Sequence, residues 1–129
     1  MNYLEARTAV LALLPEMHGW AVYEDGMADG AHPPWIVVSL RQTGRDLNEA
    51  VHATLRHAVL DIRVVGVNET SVNIACERLQ DALDGAMPEG LSALVPDIDS
   101  GTYAAELQQP ESSRPYVMRV LTWRTGYPI

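Results

Sequence analysis

The residues of this 129-residue chain that could do chemistry are four histidines, a close pair of aspartates, one thiol and a scatter of serines. Among His18, His32, His52 and His57, only the last two are close. Their spacing of five matches neither one face of a helix nor one face of a strand, and no cysteine or acid completes a zinc-type ligand set. Asp97 and Asp99 flank Ile98 and would put two carboxylates on one side of an extended segment. Calcium loops need a longer series of ligands and a required glycine, so these read as solvated acids. Cys76 has neither a helix N-terminus nor a basic sequence neighbour to lower its pKa and reads as a small buried hydrophobe. Ser71, Ser112 and Ser113 lack a Gly-x-Ser-x-Gly setting. The scattered glycines form neither a phosphate loop nor a dinucleotide fingerprint. No catalytic residue, metal or cofactor is therefore expected. Tyr116 and Trp123 could stack on bases, but without interleaved basic residues they read as core or interface aromatics.

The elements that must position these residues are plainer than any site. Between residues 54 and 67 a strand alternates. Ala58, Leu60, Ile62 and Val64 point one way, and His57, Asp61 and Arg63 point the other. A sharply amphipathic helix follows, with Val72, Ala75, Cys76, Leu79, Ala82 and Leu83 in one apolar stripe. Asn68 suits its N-cap, Glu69 its first turn and Gly85 its end. Near the N-terminus, Tyr3, Ala6, Val10, Leu13, Leu14 and Met17 keep helical spacing up to Pro15 and Gly19.

Residues 20–23 form a short candidate strand and residues 24–34 an exposed loop broken by Gly and Pro. Residues 35–40 form a β-branched strand, and residues 41–48 the next connection. Residues 46–56 carry two patterns. Asp46 with Glu49 resembles a capping box and Leu47, Ala50, Val51, Thr54 and Leu55 keep helical spacing, whereas the alternation from about Thr54 onward favours strand. Residues 86–101 read as a long connection, 103–107 as a weak strand, and 109–114 as a polar turn around Pro110. Residues 116–124 form a strong last strand, with Tyr116, Met118 and Val120 on one side and Val117, Leu121 and Trp123 on the other. Both of its sides are apolar, which suggests that a further surface packs there. The whole predicts one α+β domain over residues 1–129. Its sheet is mostly antiparallel and twisted, with four to five strands and two principal helices on one face.

A chain of this length can bury one core without staples. Its net charge is -8 and all nine basic residues are arginine, a balance against gripping nucleic acid. No apolar run approaches the roughly 18–20 residues of a membrane span, so no membrane partner is expected. What remains is interaction between protein surfaces. Trp35, Val117, Leu121 and Trp123 are candidate interface residues.

The strand over residues 59–66, the helix over 68–83 and the Arg114-Pro115-Tyr116 step into the last strand together resemble the tail terminator proteins of long-tailed bacteriophages. The leading helix, the Ile36-Val37-Val38 strand and the Gln-Thr-Gly connection at residues 42–44 add to the likeness, which covers most of the chain. The resemblance implies a non-enzymatic structural protein of the virion, assembled in the host cytoplasm. Six copies would form a ring at the head-tail neck, capping the head-proximal end of the tail tube, stopping its polymerisation and joining it to the head connector or stopper protein. Its partners would be its own copies, the tail tube protein, the connector, and genomic DNA passing through the lumen without specific binding. Six copies at -8 carry about -48, a repulsion that would favour passage over sticking. Asp25, Asp29, Asp97 and Asp99 are the candidate lumen-facing acids. The alternatives are another neck component, such as a head-completion or stopper protein, and a small-molecule-binding α+β domain.

Overall fold

The computed structural model describes residues 1–129 apart from Ala31, Glu111 and Ser112. Its elements run α1 (Tyr3–Leu11), β1 (Ala21–Tyr23), β2 (Trp35–Leu47), β3 (Ala53–Gly66), α2 (Glu69–Leu83), β4 (Val95–Asp99), β5 (Tyr103–Gln108) and β6 (Pro115–Pro128). Six strands form one sheet in the order β1-β2-β3-β6-β4, and β5 also pairs with β6. Only β1 is parallel to its neighbour. The α+β class and the mainly antiparallel sheet match the sequence reading, with one or two strands more than it predicted.

The core lies on one face of the sheet. Ile36, Val38 and Leu40 of β2, Ala58, Leu60, Ile62 and Val64 of β3, and Leu121, Trp123 and Tyr127 of β6 bury against Val72, Ala75, Cys76, Leu79 and Leu83 of α2 and Ala6 and Val10 of α1. The alternation and the helical stripe thus meet, because each hides the apolar surface the other leaves wet. Asn68 caps α2 by accepting from the Ser71 amide at 2.8 Å, and Gly85 takes φ +71° just beyond it. Helix α1 carries a capping box between Asn2 and Glu5.

Three boundaries differ from the sequence reading. Helix α1 ends at Leu11, short of the periodic residues Leu13, Leu14 and Met17. There the chain tightens into i→i+3 turns, Leu13 to Val10 and Leu14 to Leu11, ahead of Pro15, whose ring disfavours helical backbone at the residue before it. The connection predicted over residues 86–101 contains β4. Its backbone pairs with β6 at the sheet edge, where Pro96 is tolerated.

The largest difference concerns residues 41–53; from Thr54 onward the strand is where the alternation placed it. The predicted connection is strand as far as Leu47, and the helix-like pattern is the end of β2, a tight turn over residues 48–52 and the start of β3. β2 and β3 stay paired out to Leu47 and Ala53, with register shifts after Gln42 and Asp46. The short helical spacing yields to ladder bonds extending an already formed hairpin, each of which adds order at little further entropic cost. Asn48 closes the turn by accepting from the amides of Ala50 and His52, both at 3.0 Å, and Val51 sits at φ +64°. His57 Nε2 meets Asp46 Oδ1 at 2.8 Å across the two strands. Beyond Gln42 and Ala58 neither helix covers this hairpin, and most of its residues are exposed. This end of the hairpin is an exposed arm of the sheet that β6 lines nearly to the turn, Leu55, Arg56 and His57 pairing with Pro128, Tyr127 and Gly126, so only its tip reaches beyond the neighbouring strand.

Candidate interaction surface

Because both helices pack on one side of the sheet, the other side is left without a helix. Register defines its rows. Tyr103, Met118, Val65 and Trp35 lie side by side across β5, β6, β3 and β2, and Val120, Arg63, Val37 and Tyr23 form the next row. Val65, Val37 and Tyr116 are buried, Met118, Val120 and Trp35 half-buried, and Tyr103 exposed. Trp35 and Tyr23 stack edge to face, with centroids 6.2 Å apart. Further along, Asp61 is buried between two half-exposed guanidinium groups, with Arg41 Nη2 at 3.3 Å and Arg63 Nε at 3.5 Å. Gly26 and Ser39 help them line a cavity of about 200 Å³, smaller than the roughly 300–1,000 Å³ of ligand pockets. One carboxylate shared by two cations leaves N–H donors of both half-exposed groups without a partner among the described residues, in a space too small to enclose a substrate.

A wider groove of about 700 Å³ runs beside α1, lined by Met1, Leu4, Ala9 and Ala12. Of its polar side chains, two are committed to the helix and the third, Glu89, is a single acid on the opposite rim. Glu5 serves the capping box and Thr8 donates to the Leu4 carbonyl. No set of three or more His, Cys, Asp or Glu among the described residues could hold a metal, and no helix among them is long and apolar enough to cross a membrane.

The β4/β5 edge is held by Arg119. From the helix side of β6 it donates through Nε to Asp99 Oδ1 at 2.8 Å, through Nη2 to Asp99 Oδ2, and through Nη1 to Asn73 of α2 at 3.0 Å. The hydrogen bonds from Arg119 hold the Asp99 carboxyl below its usual pKa against the opposing effect of burial. The same bonds raise the guanidinium. Burial pushes the nearby Cys76 thiol up to about 11, so it is protonated and inert at neutral pH, as its place in the helical stripe predicts.

A pH dependence follows from the depressed carboxyl. The contribution of Asp99 to stability is present above its unfolded pKa near 4 and is lost as pH falls through its folded value. Raised Arg119 contributes throughout that range, because its own loss comes only above about 12. Asp99 is 42% exposed, so solvent screening holds the pair to about 1 kcal/mol. Urea melts of the parent and Asp99→Asn should therefore differ at pH 7, and the difference should shrink as the pH falls below about 4. A difference that stays the same at every pH down to acid unfolding would contradict this.

The sequence-predicted residues fall into separate places. Asp25 and Asp29 lie on the loop after β1 at one sheet edge, whereas Asp97 and Asp99 lie on β4 at the opposite edge. Asp25 meets Arg7 at 3.6 Å, and Asp97 meets Arg124 at 3.8 Å. Only Asp29, exposed, has no ion pair within the chain among the described residues. Of the apolar candidates, Trp35 stands on the open side. Leu121 and Trp123 are a correction, being 2% and 1% exposed beneath α2 and part of the subunit's own core. Val117 shares their side and packs against that core. The odd-numbered residues of β6 face the helices, so the open side belongs to Met118 and Val120, which the alternation had placed correctly on the opposite side. Ser112 lies outside the described residues. Sequence reasoning missed the arm, and also the exposed apolar side chains Val95, Ile98, Tyr103 and Leu107 along β4 and β5.

Comparison with known protein-family models gives no match. Comparison with curated protein sequences gives none either.

Proposed function

We propose that the chain is the subunit of a bacteriophage tail terminator ring, a structural protein without catalytic activity that caps the head-proximal end of the tail tube and joins it to the head connector. The observation that carries this reading is the helix-free side of the sheet, with Trp35, Val65, Met118 and Tyr103 in one continuous row. An antiparallel sheet packed on one face normally alternates to a polar second face, and a row of large apolar side chains there favours another protein surface. The edge supports it. β4 and β5 expose Val95, Ile98, Tyr103 and Leu107 beside unpaired backbone, an aggregation hazard that a closed ring removes by covering it. An acidic chain is suited to surround a DNA passage, since it offers phosphate little to bind.

The test is electron microscopy of the purified protein with and without tail tubes. Six-fold rings seated on one end of each tube are expected, with tubes that no longer elongate. A subunit that stays monomeric in the presence of tubes, leaving their growth unchanged, would overturn the proposal.

A further inference from the structure

Two pairs of like charges stand unrelieved on two different elements of the subunit. On the arm, Arg45 and Arg56 are direct cross-strand partners, and neither makes an ion pair or side-chain hydrogen bond among the described residues. Like charges directly opposite in a ladder repel. On the outer surface of α2, Glu77 and Asp81 lie four residues apart, both exposed, and neither is paired among the described residues. Like charges at that spacing also destabilise a helix. Arg78, the nearest cation on α2, donates instead to the Glu16 carbonyl at 2.7 Å.

From these two pairs we infer that the arm of one copy lies across the outer face of α2 of the next, with Arg45 and Arg56 meeting Glu77 and Asp81; this rests on the ring reading and deepens it. Charge and spacing both match. Opposed Cα atoms in an antiparallel ladder stand about 4.5–5.5 Å apart, and four residues of helix rise about 6 Å. Apolar surface accompanies the charges on both sides. Ile74, one turn before Glu77, is 58% exposed, and the arm exposes Leu47 and Val51 near its tip. Each repulsive pair is relieved by the other only between copies. Because the arm and α2 are different surfaces, each copy keeps a free arm or a free α2 to offer when the contact runs head to tail, which is what a ring on the tube end requires.

Phosphate is the competing anion for Arg45 and Arg56. A net charge of -8 disfavours it, and two cations in a chain otherwise rich in acids do not make a basic stripe.

The test uses the full chain and two variants, one with Arg45→Glu and Arg56→Glu, the other with Glu77→Arg and Asp81→Arg. Assembly of the parent and of each variant is read by sedimentation after a urea melt confirms that the variant is folded. Each variant alone should lose assembly by roughly tenfold or more in the concentration required, since like now faces like. An equimolar mixture should recover it, because each variant's arm then suits the other's helix. Variants that assemble as the parent does would overturn this contact and leave the ring reading standing. So would folded variants whose mixture does not recover. Normal assembly of the arm variant with loss of duplex DNA binding would overturn it in favour of phosphate. The ring reading itself fails separately, if the parent chain forms no ring on tubes.

Discussion

Trp123→Ala is expected to cost about 4 kcal/mol of folding stability, within the roughly 3–5 kcal/mol seen when a buried aromatic becomes alanine. Trp123 is 1% exposed and sits on β6 opposite Leu60 of β3, beneath α2. Its Nε1 donates to Asp84 Oδ1 at 2.7 Å, which ties the sheet to the cap of α2. Truncation opens a cavity where sheet and helix meet and removes that donor as well. Against a total of about 5–15 kcal/mol for a domain, the loss takes a large share. Urea titration followed by tryptophan-independent circular dichroism measures it. Trp123→Phe separates the contributions, keeping most of the ring volume and losing the hydrogen bond, with an expected cost of about 1–2 kcal/mol. An alanine variant within about 1 kcal/mol of the parent would remove Trp123 from the core and restore it as an interface candidate.

Met118→Glu is expected to do the reverse, leaving the subunit folded and abolishing assembly. Met118 is half-buried in the middle of the open row between Tyr103 and Val65, so the isolated subunit can keep a carboxylate there in water at a cost of about 1 kcal/mol. In an interface that covers the row, the same carboxylate would be buried without a partner, at several kcal/mol per contact. Six such contacts in the proposed ring multiply the effect. Sedimentation should show monomer under conditions where the parent forms rings, and tubes should grow past their usual end. Rings that form unchanged would show that this side of the sheet faces solvent in the assembly.

The comparison between chain and structure turns on a few residues. The stripe from Val72 to Leu83 and the alternation from Ala58 to Val64 were legible because each repeats one period for several turns or pleats with a clear cap or turn at its end. The split of β6 into Tyr116, Met118 and Val120 against Val117, Leu121 and Trp123 was equally legible. Which of those sides was core was not, since both are apolar and only the placement of α2 over the odd-numbered residues chooses. Leu121 and Trp123 were therefore assigned to an interface when they belong inside.

The arm shows the same limit from another direction. Asp46, Leu47, Glu49, Ala50 and Val51 read locally as the start of a helix, and no local rule tells that β2 continues to pair with β3 beyond Gln42. His57 and Asp46, eleven residues apart, become neighbours only once that register is set. Of the two repulsive charge pairs, Arg45 and Arg56 were hidden likewise until the ladder brings them together, whereas Glu77 and Asp81 stand four apart on the polar side of a helix whose stripe was already legible.

Sequence alone determined the class of fold, the two amphipathic units and the acidic balance, since periodicity and charge are properties of neighbours along the chain. Tertiary structure alone decided which face of the sheet is covered, how far the hairpin projects and which charges stand unrelieved. Those depend on pairings between residues far apart in sequence, whose energies no local window contains.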